Sequence, residues 1–316
     1  MLLTPVIPFE PIRAEKIPAG ERWIAQVKWD GVRVLTYYDG NEVRLFNRRR
    51  NERTVQYPEF LDIARYCSAS SVILDGEIIA LSGGKPSFHE VMRRDGIRKP
   101  ENVERARRSI PVSYMIFDIL YYNGKWITGL PLHQRQQILA ETVTPQEDLQ
   151  LVENFTDAEG LFNVIKAEDM EGIVCKDIDS RYIVGGKNDR WQKIKNYRDL
   201  TAVIGGATFR GNVVNAVLLG LYDETGRLWY VGHAGTGKLT ANEWKDLTQR
   251  LKPLAALERP FVNKPERLKG ILWVKPRITV KIKFIEWTER GTIRQPSIQA
   301  IVDEPPDRCL LPQPSS

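Results

Sequence analysis

The chain has 316 residues, room for two domains of ordinary size, and its 42% hydrophobic and 27% charged fractions suit packed cores in water rather than a disordered or fibrous chain. No apolar run approaches the ~18 residues a membrane span needs, and the apolar start from Met1 to Glu10 is broken by Pro5 and Pro8 with no basic leader, so neither membrane insertion nor a signal peptide is expected and the cytoplasm is the expected compartment. Scattered Cys67, Cys175 and Cys309 and unpaired His89, His133 and His233 exclude a disulfide framework and a zinc set, while 46 Lys and Arg against 40 Asp and Glu give +6 and a mild lean towards polyanionic partners.

Alternating stretches dominate the first two-thirds. Residues 23–27 and 32–38 read as strands, and Asp39-Gly40-Asn41 turns into a further strand over 42–46. Residues 72–74 and 78–80 read as a strand pair, as do 114–122 and 172–176. Helical periodicity is expected over 58–66, 131–142 and 157–168. The interleaving lacks βαβ spacing, so an α+β architecture of antiparallel sheets with packed helices is expected. After Tyr197-Arg198-Asp199 short β-like segments follow at 201–204, 213–221, 228–231, 271–273 and 279–285, with one helix at 240–251. Five strands and an inserted helix outline an OB-fold, so the expected domains are 1–198 and 199–316.

The sharpest local signal is Lys28-Trp29-Asp30-Gly31-Val32-Arg33. A Lys-x-Asp-Gly string arises by chance in about one chain in twelve of this length, and with Arg at the sixth position in about one in two hundred. Alone, a hairpin turn at Asp30-Gly31 explains it equally well.

The string resembles the signature of covalent nucleotidyltransferases, the superfamily of DNA ligases, RNA ligases and mRNA capping enzymes. Further segments resemble the family's motifs in the family's order: Asn47-Arg48 and Tyr57-Pro58-Glu59-Phe60, Asp75-Gly76-Glu77, Phe88 with Arg93-Arg94, Phe117-Asp118-Ile119-Leu120 with Arg135, Glu171-Gly172-Ile173-Val174, and Trp191-Gln192-Lys193-Ile194-Lys195. Tyr230-Val231-Gly232 with Gly235-Thr236-Gly237, Glu286-Trp287-Thr288 and Ile293-Arg294-Gln295-Pro296 are similar to segments of ligase OB domains. The likeness covers nearly the whole chain and is strongest to the ligase part of bacterial end-joining ligases, within the ATP-dependent DNA ligases.

The resemblance implies an adenylation domain followed by an OB-fold. It also implies an enzyme that uses ATP and Mg2+ (or Mn2+) to seal nicked double-stranded DNA in repair and recombination, as a nucleoid-associated monomer beside end-joining proteins. Lys28 is then the nucleophile that carries AMP. An ordinary lysine, with a pKa of about 10.4, is almost wholly protonated at neutral pH, so burial, metal or nearby cations must favour the free amine. Lys193 and Lys195 are the implied cations and catalytic partners; Glu77 and Glu171 supply carboxylates that magnesium prefers. Phe117 would stack on adenine, Gln26 would meet its amino group, Arg33 would contact ribose, and Arg48 and Arg294 would serve DNA.

Two departures stand out. Where the family carries Arg-x-Asp-Lys, this chain reads Val302-Asp303-Glu304-Pro305, leaving Arg294 or Lys283 as substitutes on pyrophosphate; and Gln26 replaces a common glutamate. The stretch from Gly232 to Lys238 fits a phosphate-cradling P-loop except that Leu239 stands where a hydroxyl should hold magnesium, so a turn in the barrel is expected instead. The alternatives are an RNA ligase or capping-type nucleotidyltransferase, and a weakly active DNA-binding relic. Missing zinc cysteines and the short length disfavour NAD-dependent ligation.

Overall fold

The structure is a computed structural model that describes residues 3–265, 269–288 and 290–312. The chain divides into two compact units, residues 1–196 and 197–316. No helix among the described residues is long and apolar enough to cross a membrane.

The strands of the first unit are β1 (Glu10–Arg13), β2 (Trp23–Val27), β3 (Val32–Tyr38), β4 (Val43–Asn47), β5 (Val72–Ser82), β6 (Lys85–Pro86), β7 (Val112–Tyr122), β8 (Lys125–Trp126), β9 (Leu149–Leu151), β10 (Gly172–Asp177) and β11 (Lys187–Lys195). Its helices are α1 (Phe88–Asp95), α2 (Pro100–Ser109), α3 (Leu132–Thr142) and α4 (Ala158–Ala167). One sheet has the order β4-β3-β5-β7-β8, with β6 on β5 and β9 on β7; a smaller one has the order β1-β11-β10-β2. Pairing is antiparallel except for β1 with β11 and β7 with β9, which are parallel against expectation.

The two sheets face each other. Phe9, Leu35, Tyr37, Ile73, Leu120 and Trp191 fill the space between them. The outer face of the larger sheet packs on α1 and the turns around residue 60 through Val34, Leu74, Ile78, Phe60, Val91 and Tyr114. The outer face of the smaller sheet meets α4 through Ala25, Ile173, Cys175, Leu161 and Ile165. Alternation explains the sorting, because side chains two apart on a strand share a face.

Three further expectations change. Residues 114–122 and 172–176, read as a pair, fall on β7 and β10 of different sheets. Residues 72–80 do not form a strand pair: β5 runs unbroken through Asp75-Gly76-Glu77, and both its neighbours, β3 and β7, pair across that motif. A polar triplet with a central glycine looks like a turn until it is flanked by two partners. Residues 58–66 are two single 3-10 turns, Pro58–Phe60 and Ile63–Arg65, rather than one helix. The tertiary partners of Tyr57, Glu59 and Tyr66 override the weak periodicity there.

The second unit contains β12 (Arg198–Arg210), β13 (Val213–Tyr222), β14 (Leu228–Ala234), α5 (Ala241–Leu251), β15 (Ile271–Trp273), β16 (Thr279–Phe284) and β17 (Ser297–Val302). The order is β14-β13-β12-β16-β17, with β15 also on β12. Strand β17, absent from the sequence reading, closes the barrel: Ile298 N donates to Thr236 O at 2.9 Å and Lys238 N to Ile298 O at 2.7 Å. The P-loop look-alike is therefore a closing seam, and the backbone amide of Lys238 is already committed to it. Helix α5 starts at a reciprocal cap between Thr240 and Glu243 and buries Leu247 and Leu251 in the barrel core.

Candidate active site

The apolar filling between the two sheets gives way at one end to charged groups, all placed by strand alternation. On the smaller sheet, Ile24 belongs to the inter-sheet layer while Ala25 and Val27 face α4. Gln26 is thus inward, and Lys28 follows with the same parity. Trp191, Lys193 and Lys195 share a face in the same way, with Ile194 turned to α4. On the larger sheet Ile73, Asp75 and Glu77 alternate with the outward Leu74 and Ile78.

Lys28 lies just past β2, and its Nζ donates to Glu171 Oε2 at 2.5 Å. Lys195 Nζ meets the other oxygen of the same carboxylate at 2.7 Å. Glu171 is 8% exposed. Burial pushes its carboxyl up, but Lys28 and Lys195 together outweigh burial and hold it below the usual carboxylate range. Lys193 goes down, through burial first and then the neighbouring Lys28, Lys195 and Lys187 charges. Glu77 is pushed up to about 8 by burial, against the pull of Lys28 and Arg33.

Glycines let these strands approach. A Cβ on Gly31 would lie 2.1 Å from Ile78 O on β5, so only glycine lets the segment after Lys28 run against the larger sheet. Gly172 has φ +148°, and a Cβ there would meet Ile194 O at 2.2 Å; its own carbonyl accepts from Lys28 N at 2.9 Å. The glycine after Glu171 thus fixes the carboxylate beside the lysine.

Arg33 is held by Asp75 through two hydrogen bonds of 2.9 and 2.6 Å, and Tyr182 donates to the same carboxylate at 2.6 Å. The guanidinium carbon lies 5.2 Å from the centroid of the Phe117 ring. Phe117 sits at a bulge: Asp75 pairs with Asp118 and Gly76 with Ile116, leaving Phe117 without a partner on β5. A bulge re-aims a side chain. Directly behind it, buried Asp118 is clamped by buried Arg135 at 2.8 and 2.9 Å, and Arg135 also donates to Leu130 O and Ser180 O.

The structure therefore gathers Gln26, Lys28, Arg33, Glu77, Phe117, Glu171, Lys193 and Lys195 around one cleft. Arg48 stands apart, exposed in the turn that follows β4, where Asn47 Oδ1 accepts from the amides of Arg49 and Asn51 at 3.0 Å each. Arg294 belongs to the second unit, in a hairpin where it pairs with Glu286 at 2.6 Å and Trp287 bridges Ile293. Lys283 lies on β16.

Among the described residues no group of three or more His, Cys, Asp or Glu is placed to hold a metal. The donor set here is two carboxylates, Glu77 and Glu171, at a cleft lined with lysines. That fits magnesium, which takes one or two carboxylates and completes its shell with water and substrate phosphates, rather than a metal caged by protein alone.

Sequence reasoning missed Lys176, which shares a strand face with Val174. It is 2% exposed, its Nζ has no hydrogen-bond partner, and it lies 4.3 Å from the Phe117 ring centroid and 4.0 Å from that of Trp191. Burial pulls its pKa down to about 7 against Asp118 and Asp75. Between that value and the ordinary lysine value of about 10.4, the unfolded chain holds a proton that the folded chain lacks, so stability rises with pH across this window and is lost as pH falls towards 7. Lys176→Met is expected to raise Tm at about pH 6 and to lose most of that advantage by about pH 10. Equal gains at both pH values in thermal unfolding would refute this.

With the geometry established, similarity to known proteins places the chain. Residues 12–195 match the ATP dependent DNA ligase domain and residues 210–304 the ATP dependent DNA ligase C terminal region. The first match alone spans more than half the sequence, and the chain belongs to the ATP-dependent DNA ligases. It is 33% identical over 284 residues to the multifunctional non-homologous end joining DNA repair protein LigD of Mycobacterium tuberculosis, covering 87% of this chain and 35% of that protein. To a DNA ligase of Methanosphaera stadtmanae it is 31% identical over 332 residues, 96% of this chain and 57% of the relative. It thus spans between about a third and rather over half of these relatives. A solved mycobacterial DNA ligase D complexed with ATP and MES superposes with TM-score 0.51 and 30% identity, over 97% of this chain and 98% of that one.

Proposed function

We propose that the protein seals nicks in duplex DNA, using ATP and Mg2+ (or Mn2+), with Lys28 as the nucleophile. The observation that carries this is the shared carboxylate of Glu171, which aims Lys28 and Lys195 into the same cleft. First, the Lys28 nitrogen attacks the α-phosphorus of ATP; a P–N bond forms, the P–O bond to pyrophosphate breaks, and the amine's proton passes to solvent. Glu171 must release the amine before its lone pair can reach the phosphorus. Second, an oxygen of the DNA 5′-phosphate attacks the same phosphorus, and Lys28 leaves as the P–N bond breaks. Third, the 3′-hydroxyl attacks the 5′-phosphorus and AMP departs.

Magnesium held by Glu77 and Glu171 would neutralise phosphate charge as pyrophosphate leaves. Lys193 and Lys195 hold positive charge towards the same phosphates, Phe117 stacks on adenine with Gln26 at its edge, and Arg33 is set to meet the ribose. Residues 1–198 act as the adenylation part and 199–316 as the barrel that helps hold DNA, with the half-buried Arg294, paired to Glu286, as its candidate for phosphate. The sequence alternatives, RNA ligation or capping and a DNA-binding relic, gain no support from the relatives above. The finer setting, a cytoplasmic, nucleoid-associated monomer working with end-joining proteins in repair and recombination, rests on likeness to LigD.

Arg48, Arg49 and Arg50 form an exposed basic turn that suits a phosphate backbone. Arg48→Ala is expected to weaken binding of nicked duplex irrespective of sequence and to lower the slope of log affinity against log salt by about 1. An unchanged slope in a salt titration would remove Arg48 from the interface. The reaction as a whole is tested by following label from α-labelled ATP to the protein and then to nicked DNA; label that reaches the protein and never the DNA would overturn ligation.

A further inference from the structure

Three side-chain amides, those of Gln26, Asn154 and Gln136, are linked in a single direction. Gln136 Nε2, on α3, donates to the backbone carbonyl of Phe117 at 2.6 Å. Asn154 Nδ2 donates to Gln136 Oε1 at 3.1 Å, and Gln26 Nε2 donates to Asn154 Oδ1 at 2.7 Å. An amide has one accepting and one donating end, and a backbone carbonyl can only accept. The carbonyl of Phe117 therefore obliges Gln136 to present its nitrogen and leaves its oxygen for Asn154. Asn154 must in turn donate and leave its oxygen for Gln26. Gln26 then spends its nitrogen on Asn154, and its oxygen is the acceptor left over at the end of the chain. Gln26 is 2% exposed, so this end of the run is buried, on the strand that leads to Lys28.

We propose that Asn154 and Gln136 set nucleobase specificity by fixing the polarity of the Gln26 amide, so that an acceptor faces position 6 of the purine. This rests on the adenylation reading and deepens it. A 6-amino group donates to that oxygen, whereas a 6-oxo group would set acceptor against acceptor. A glutamate would present acceptors whatever its neighbours; a glutamine does so only if something prevents it from flipping. Asn154 is exposed, so water can replace its side chain without loss of the fold, and its removal frees Gln26 to turn its nitrogen inward.

The test compares covalent labelling with α-labelled ATP and ITP, which differ at the 6-position. The wild-type chain is expected to favour ATP by roughly a hundredfold, and Asn154→Ala to cut that ratio about tenfold. Asn154→Asp keeps an acceptor opposite the Gln26 nitrogen and is expected to keep the ratio. An unchanged ratio in Asn154→Ala, or an equal loss in Asn154→Asp, would overturn the proposal. Should Asn154→Ala label too weakly to read, binding of ATP and ITP in the Lys28→Ala background gives the same ratio without chemistry. Labelling of the wild type that survives Lys28→Ala would defeat the underlying adenylation reading, an outcome separate from any change in the ratio.

Discussion

Lys28→Ala is expected to lose covalent AMP labelling by about a thousandfold or more, the scale seen when a covalent nucleophile is removed. The two lysines nearest it are poorly placed to replace it. Lys195 is tied to the opposite oxygen of Glu171, and Lys193 stands beside the pair, so a substitute amine would have to abandon its own position. The same variant should lose far less on a nick whose 5′-phosphate already carries AMP, because AMP has then already reached the DNA and no P–N bond to Lys28 is needed. Measuring both reactions separates loss of the nucleophile from collapse of the cleft. A variant that retains label would end the assignment of Lys28, and one that fails equally on the preadenylated nick would show that the substitution disturbs the fold.

Arg135→Ala carries the largest expected structural effect. Arg135 and Asp118 are both fully buried and doubly hydrogen-bonded, and the arginine also serves two backbone carbonyls. Removing it strands a carboxylate in a dry interior, which costs about 3–5 kcal/mol in comparable cases. For a unit of this size the first thermal transition should fall by on the order of 10 °C. Asp118→Asn in the Arg135→Ala background should recover part of the loss, since the unpaired charge is then gone. A loss below about 1 kcal/mol in denaturant titration would mean that the pair is replaceable, contrary to its burial. Because Asp118 follows Phe117 at the bulge, the variant should also bind ATP less well.

Much of the candidate site was legible because its signals are local. Lys28-x-Asp-Gly-x-Arg33 and Glu171-Gly172 each combine a charged side chain with a glycine that backbone contacts demand, so residue type and spacing survive in the sequence. Other parts were not legible. Lys176 was read only as the end of a strand, and it takes the packing of Phe117 and Trp191 to show that it is buried. The amide chain from Gln26 to Phe117 joins residues more than a hundred positions apart, and no local pattern marks it. Strand β17 was hidden because its half-exposed residues alternate weakly, and its pairing depends on β16 and on the seam at Gly237.

By itself, the sequence named, through its resemblance to the ligases, most of the residues that the fold gathers around one site, and strand alternation and glycine spacing, which act over a few positions, preserved that order. Only the tertiary structure decided that Asp75-Gly76-Glu77 is mid-strand, that Phe117 sits on a bulge, and that one buried carboxylate holds two lysines. These depend on partners distant in the chain, and a pairing energy between remote segments leaves no trace in either segment read alone.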